Sequence, residues 1–362
     1  MSGRAPDPGS PIFDPFGERH GPLRRRSLAL LGGRFEFESN HDPLLRLAMA
    51  AFEGLPGHRL AREQPRMRVR LTLGAPAARA PGQGKRARPP KGAGPEPPPV
   101  TMFSGGGFLG GATRSASCVL IAPQERQALV VVSPEMLDFP YHTRYELIEF
   151  AVYMLAQRVQ QLAPLHGACV GVKGRGVLLM GPSGAGKSTV ALQCLSDGFD
   201  FLSEDSVLVA PERMLATGAS NFVHVRSDSL RWVASRRDAA AIRRSPVITR
   251  RSGVRKYEVD LRGGRFRIAQ SPLSIQSIVF LSPRSADGED LLTPLSRKDV
   301  RGRLAREQAY ATGLPQWRRF SLQAAKLPCF ELRRGRHPAE AAQALRRLLD
   351  SNSPVRRLRS LL

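Results

Sequence analysis

Alternation and helical spacing of apolar residues divide the chain into two regions, an α+β part over residues 23–161 and an α/β part over residues 162–352. In the first, the pattern over 27–38 predicts a β-hairpin turning near Gly32-Gly33, and 42–52 reads as a helix with Asp42 as N-cap and Pro43 in its first turn. Residues 66–73 alternate mostly basic with apolar positions, as an amphipathic strand does. Strands are predicted at 117–121 and 128–132 around the polar turn Gln124-Glu125-Arg126. A long amphipathic helix follows over 144–161, its stripe formed by Leu147, Ile148, Ala151, Val152, Leu155 and Val159. In the second region a hairpin is predicted from 168–172 and 176–180, then a helix at 187–196. Further strands are expected at 199–203, 207–210, 222–225, 257–261, 266–268 and 275–281, with a closing helix at 338–349.

Composition adds the joints. Residues 1–22 are rich in Pro, Gly and charge and read as a flexible arm, residues 75–100 collapse into Ala, Pro, Gly and basic residues as a disordered loop would, and 353–362 form a basic tail. The 362 residues suffice for two domains. The net charge of +24 would ordinarily point to nucleic acid or an anionic surface, but 48 of the 55 basic residues are arginines scattered along the whole chain. A coding bias toward Arg explains much of that. With no aromatic-interleaved basic patch, nucleic acid is not expected as a partner. Cys118, Cys169, Cys194 and Cys329 lie far apart without metal-ligand spacing, so neither zinc nor a disulfide framework is expected, and a cytoplasmic location fits. No stretch approaches 18 uninterrupted apolar residues, and no membrane partner is expected.

The chemistry concentrates at Gly181-Pro182-Ser183-Gly184-Ala185-Gly186-Lys187-Ser188-Thr189, which matches G-x-x-x-x-G-K-[ST] directly after an apolar run that reads as a buried strand. Such a loop curls its backbone N–H groups around a β-phosphate, its lysine reaches the β/γ oxygens, and its serine hydroxyl is placed to hold Mg²⁺. A bound ATP or GTP is the expectation. His166-Gly167 precedes the loop and is read as opening a hairpin; the carboxylates Glu204-Asp205 follow at the end of the next strand, with Asp205 eighteen residues after Lys187.

This order of His-Gly, phosphate loop, helix ending near Gly198 and acidic pair resembles the C-terminal catalytic domain of the HPr kinase/phosphorylase family, and more closely the HPr kinase-related serine kinases. The resemblance spans about residues 165–209 and weakens toward 283. The chain departs from the family in carrying Glu-Asp where Asp-Asp is common, and in lacking the glycine-rich signature further downstream. The resemblance implies a P-loop core of the HPr kinase/phosphoenolpyruvate carboxykinase type, preceded here by an N-terminal α+β accessory domain. It also implies ATP and Mg²⁺ as cofactors, a protein serine or threonine hydroxyl as acceptor, and frequent assembly into homo-oligomers.

Phosphoryl transfer needs neutralised phosphates, a metal and a group that orients or deprotonates the attacking hydroxyl. Lys187 and the loop amides would supply the first, and Ser188 with Asp205 the second. Glu204 falls where HPr kinases place the general base, and adjacency to Asp205 is expected to raise the pKa of one carboxyl of the pair. His166 would lie beside the pair and tune its protonation. Arg226 is the best-placed arginine for transition-state charge or an incoming phosphoprotein, ahead of Arg231 and Lys256, while His224 is read as structural. Two alternatives stay open: a small-molecule kinase on the same core, and a non-catalytic nucleotide-gated regulator.

Overall fold

The computed structural model describes residues 22–74, 96–114, 116–219, 221–286, 288 and 290–350. The arm before Pro22, most of the 75–100 loop and the basic tail lie outside the described residues. The chain forms two compact units: Met1–Ser27, Phe35–Ala51 and Arg66–Leu155 make the first, and Leu28–Arg34, Phe52–Pro65 and Ala156–Leu362 the second.

The first unit is built on a seven-stranded sheet of β1 (Arg24–Leu30), β2 (Gly33–Ser39), β3 (Arg66–Leu73), β4 (Val100–Gly105), β5 (Phe108–Thr113), β6 (Cys118–Ala122) and β7 (Gln127–Val132), in the order β1-β2-β3-β7-β6-β5-β4. In β3 the arginines face out while Met67, Val69 and Leu71 are buried, the period-2 pattern read from the sequence. Helix α1 (Asp42–Phe52) lies where the pattern placed it. The glycine-rich strands β4 and β5 carried no alternation strong enough to be predicted. After the short helices α2 (Pro134–Leu137) and α3 (Pro140–His142), the predicted 144–161 helix is real but compound: Thr143–Glu149 is wound as a π-helix and Phe150–Val159 continues as α4.

The second unit carries a nine-stranded sheet. Its strands are β8 (Ala163–His166), β9 (Ala168–Val172), β10 (Arg175–Met180), β11 (Asp200–Ser203), β12 (Ser206–Ala210), β13 (Leu215–Thr217), β17 (Leu273–Ser285), β18 (Leu292–Pro294) and β19 (Cys329–Arg334). The main order is β11-β9-β10-β17-β13-β12-β8, with β19 parallel to β17 and β18 beside it. Strands β10, β17 and β19 run parallel, and β9 and β10 form an antiparallel hairpin. Side chains alternate across the sheet. Val177, Leu179, Val279 and Leu281 pack in one buried cluster with residues of α5 (Lys187–Ser196) and α10 (Pro338–Asp350). Leu178, Met180, Ile278 and Phe280 pack in the other, with residues of α7 (Arg297–Glu307) and α9 (Trp317–Ala324), the two joined through α8 (Ala309–Thr312). Helices on both faces of a sheet with a parallel centre define an α/β architecture.

A separate three-stranded sheet, β14 (Phe222–Val225), β16 (Arg255–Asp260) and β15 (Val247–Thr249) in that order, is completed by the 3₁₀ turn Ser227–Trp232 and α6 (Arg236–Arg243). The strand expected at 266–268 reduces to a single parallel bridge between Ile268 and Phe201. Among the described residues no helix is long and apolar enough to cross a membrane.

Candidate functional site

The phosphate loop leaves the end of β10 and enters α5. Gly181 has φ +144°, and a Cβ there would stand 3.0 Å from the Leu281 carbonyl oxygen; Gly184 (+82°) and Gly186 (+101°) also occupy backbone space that favours glycine. The buried Lys187 curls back, its Nζ donating to the carbonyls of Gly181 (2.6 Å) and Pro182 (3.2 Å). Burial pushes its pKa below the usual lysine range, and the negative charges of Asp205 and Glu307 pull part of the way back.

The acidic pair and His166 meet through strand pairing. β8 and β12 run antiparallel with His166 opposite Ser206, so the residue before Ser206 falls beside the histidine. His166 Nδ1 lies 3.1 Å from Asp205 Oδ1, and the Gly167 N–H donates to the Asp205 carbonyl at 3.1 Å. A Cβ on residue 167 would come within 2.7 Å of the Leu179 carbonyl oxygen, which is why this link is glycine. As expected, His166-Gly167 stands directly before the β9–β10 hairpin, which it links to β8. The acidic pair follows the end of β11, the next strand in the chain; β11 is not the neighbour of β10, because β9 lies between them.

Burial alone would raise the carboxyl of Asp205. His166, Arg250 and Lys256 outweigh it and hold that carboxyl far below the usual carboxylate range, so Asp205 is not the raised member of the pair. Glu204 is buried. Its Oε1 accepts from the His224 backbone N–H and from Nδ1, each at 3.0 Å, while Oε2 has no hydrogen bond among the described residues. The other ring nitrogen of His224 meets Glu258 Oε1 at 3.2 Å, across the β14–β16 pair. Burial and Arg250 disfavour a charged His224, but the two glutamates prevail and its pKa is raised. His224, read as structural, is thus the direct hydrogen-bond partner of Glu204.

A cavity of about 570 Å³ opens over these groups. It brings together His166, Ser183, Gly184, Gly186, Lys187, Ser188, Thr189, Glu204, Asp205 and Arg226, with Arg231 and Lys256 also on its wall. Gly181 and Ala185 do not line it; Gly181 acts through the loop's shape. Arg226 is exposed and paired with Asp228, Nε to Oδ1 at 3.2 Å and Nη2 to Oδ2 at 2.9 Å. Sequence reasoning missed Arg250, which lines the cavity 3.9 Å from Asp205, and Glu258. It also missed the end of α7 and the residue after it: Glu307 takes a hydrogen bond from the backbone of Gly181, and Gln308 grips His166 from both sides, accepting its N–H (2.8 Å) and donating to its carbonyl (2.9 Å). These residues come together by tertiary packing and carry no local motif.

Mg²⁺ keeps several waters and takes one or two protein oxygens beside substrate phosphates. The Ser188 hydroxyl and a strongly ionised Asp205 facing one cavity fit that demand. Among the described residues no group of three His, Cys, Asp or Glu converges as an all-protein metal cage would require.

A glycine-rich loop between a sheet with a parallel centre and a helix, with its lysine in place and an ionised carboxylate across a shared cavity, defines a P-loop α/β domain. Residues 144–228 match the family model described as SynChlorMet cassette protein ScmC. The chain is 30% identical to HPr kinase/phosphorylase of Listeria monocytogenes over 130 residues, which cover 33% of this chain and 42% of that protein. The same enzyme of Mycoplasmopsis pulmonis is 42% identical over 62 residues, 16% of this chain and 19% of the relative. A solved structure of the Hpr(Ser) kinase/phosphatase from Coxiella burnetii is matched over 51% of this chain and 95% of its own, at 12% identity and a TM-score of 0.24. The chain thus spans less than half the length of the curated relatives it matches. Over the matched segment it is similar to HPr kinase/phosphorylase.

Proposed function

We propose that this protein is an HPr kinase-related phosphotransferase that moves the γ-phosphoryl group of ATP to a serine or threonine hydroxyl of a protein. The observation that carries the reading is the single cavity in which His166, Lys187, Ser188, Glu204 and Asp205 meet over the phosphate loop. Lys187 and the loop amides bind the β- and γ-phosphates and offset charge that builds as the β–γ bridging bond breaks. Ser188 and Asp205 would hold Mg²⁺, which supplies charge neutralisation on the phosphates. The acceptor oxygen bonds to the γ-phosphorus, ADP departs with the bridging oxygen, and the hydroxyl proton passes to Glu204. Its Oε2 is the oxygen without a hydrogen bond among the described residues, while His224 fixes the other. His166 orients Asp205, and Arg226, Arg250 and Lys256 give the cavity its positive side.

The test is transfer of label from γ-labelled ATP with Mg²⁺, alone and with lysate of the source organism, by wild type beside Lys187→Ala and Asp205→Asn. A labelled protein band with wild type and at least a hundredfold less with either variant supports the reading. Tight ATP binding without transfer to protein or to any small hydroxyl compound refutes it and leaves a nucleotide-gated regulator.

A further inference from the structure

The outer face of the seven-stranded sheet in the first unit changes character from one edge to the other. Strand pairing sets Arg70, Leu129, Leu120, Gly110 and Phe103 side by side in one row across β3, β7, β6, β5 and β4. A second row runs through Thr72, Val131, Cys118, Ala112 and Thr101. From β7 to β4 these outward positions hold no charged side chain, in a chain of which 24% of the residues are charged. We propose that this face docks an amphipathic helix of another protein, apolar on one side and acidic along one flank.

Strands β6 and β7 are apolar on both sides. Val119, Ile121, Val130 and Val132 are buried on the inner face, while Leu120, Cys118, Leu129 and Val131 stand on the outer one. Apolar runs of this kind belong to strands covered on both faces. Among the described residues the outer face is nevertheless left to solvent, with Leu120 38%, Phe108 46% and Phe103 48% exposed. Neighbouring strands lie about 4.8 Å apart, so the face from β7 to β4 is about 14 Å across, room for one helix about 10 Å in diameter. A helix laid on a sheet is a standard way to bury such a face.

Charge selects the partner. Beside the apolar rows, Arg25 of β1 and Arg68 and Arg70 of β3 gather round the fully buried Glu38 of β2, with Nε, Nε and Nη2 at 3.0, 3.5 and 3.2 Å from its carboxylate oxygens. Their side chains stay 62%, 47% and 48% exposed. A guanidinium carries more donors than one shared carboxylate can take, so these arginines are oriented by Glu38 and keep donors for an incoming acid. With Arg66, which also faces out, they outnumber Glu36 and Glu38, the acids of the same border. Arg70 adjoins Leu129, so a helix over the apolar rows sets one flank above the arginines. Single-stranded nucleic acid asks for aromatic rings interleaved with cations. Here Phe103 and Arg70 stand four strand spacings apart, about 19 Å, with aliphatic Leu120 and Leu129 between them. A second copy of a chain of net charge +24 brings no acidic excess to the border.

The test selects a display library of random peptides, each about 16 residues long, against the full chain and in parallel against Leu120→Glu and Arg66→Glu. Both positions face away from the core, and melts followed by circular dichroism check that each variant folds. Expected are peptides that bind wild type, carry apolar residues at helical spacing and hold more acidic than basic residues. Their dissociation constants, read by fluorescence anisotropy, should weaken about tenfold in either variant and again as salt rises from about 50 to about 500 mM. An enriched set without acidic excess, equal binding by both folded variants, or no enrichment on wild type overturns the proposal. So does oligouridylate that binds wild type but not Leu120→Glu, which would make the face a nucleic-acid site. A wild-type dimer in sedimentation that Leu120→Glu disperses would make it this chain's own interface and overturn the proposal as well.

Discussion

Gly167 carries no chemistry, yet the site depends on it. Its missing side chain lets the link between β8 and β9 run so near the Leu179 carbonyl oxygen that a Cβ would stand 2.7 Å from it, closer than Cβ contacts tolerate, and its N–H holds the Asp205 carbonyl. Gly167→Ala must push that link outward, separating His166 from Asp205. A loss of about 1–3 kcal/mol is expected by chemical denaturation, together with a large fall in phosphoryl transfer. A variant of wild-type stability would show that the link relaxes freely. At this scale much of the site was legible. Lys187, Ser188 and Asp205 announce themselves through short-range spacing, and His166 through its neighbour. Arg250, in the turn between β15 and β16, and Glu258, which reaches His224, could not, because tertiary packing places them and nothing local marks them. The partnership of His224 with Glu204 was hidden for the same reason, twenty residues apart in the chain.

Among the elements, β14 and β16 place His224 between Glu204 and Glu258, and the raised pKa of that buried histidine has a definite sign. Its contribution to stability is complete below the unfolded value near ~6.5 and is lost as pH rises through the higher folded value. Thermal melts across pH 5 to 9 should therefore show an alkaline decline in wild type that His224→Gln lacks; parallel profiles would refute the clamp. Helix α7 makes a second case. Ser296 caps it by accepting the Asp299 N–H at 3.2 Å, and the helix ends at Glu307, directly before Gln308. Ser296→Ala should cost about 1 kcal/mol, read as a lowered denaturation midpoint. None of α7 to α9 was predicted, since arginines break up the apolar stripe that leaves only Val300 and Leu304 buried in α7. Helix α1 and strand β3, by contrast, keep a clean period and were predicted at their observed bounds.

Considered as a whole, the molecule has a second buried histidine that titrates the other way. His58 lies in the second unit, its ring within hydrogen-bond distance of Thr217 Oγ1 (2.7 Å) and the Ala269 carbonyl (2.9 Å). Burial drives its pKa down, opposed only in part by the Ala269 carbonyl. A neutral buried histidine loses its advantage as pH falls below ~6.5, where the unfolded chain takes up the proton. Acid-side melts should fall less steeply in His58→Gln than in wild type, the mirror of the His224 result, and an unchanged acid limb would exclude the effect. Net charge, prominent in the composition, said little about the fold. Some of the arginines pair with carboxylates distant in the chain, such as Arg267 with Asp200 and Arg319 with Glu212, but the excess over the 31 acidic residues has no such partner to order the fold. The same two contacts of His58 set a schedule for synthesis. The histidine is synthesised 211 residues before Ala269, a wait of roughly 10–40 s at ordinary elongation rates. Phe52–Pro65, the segment of the second unit that carries His58, is thus exported long before the residues that receive that histidine, and its safekeeping in the interval is a demand this fold places on the cell.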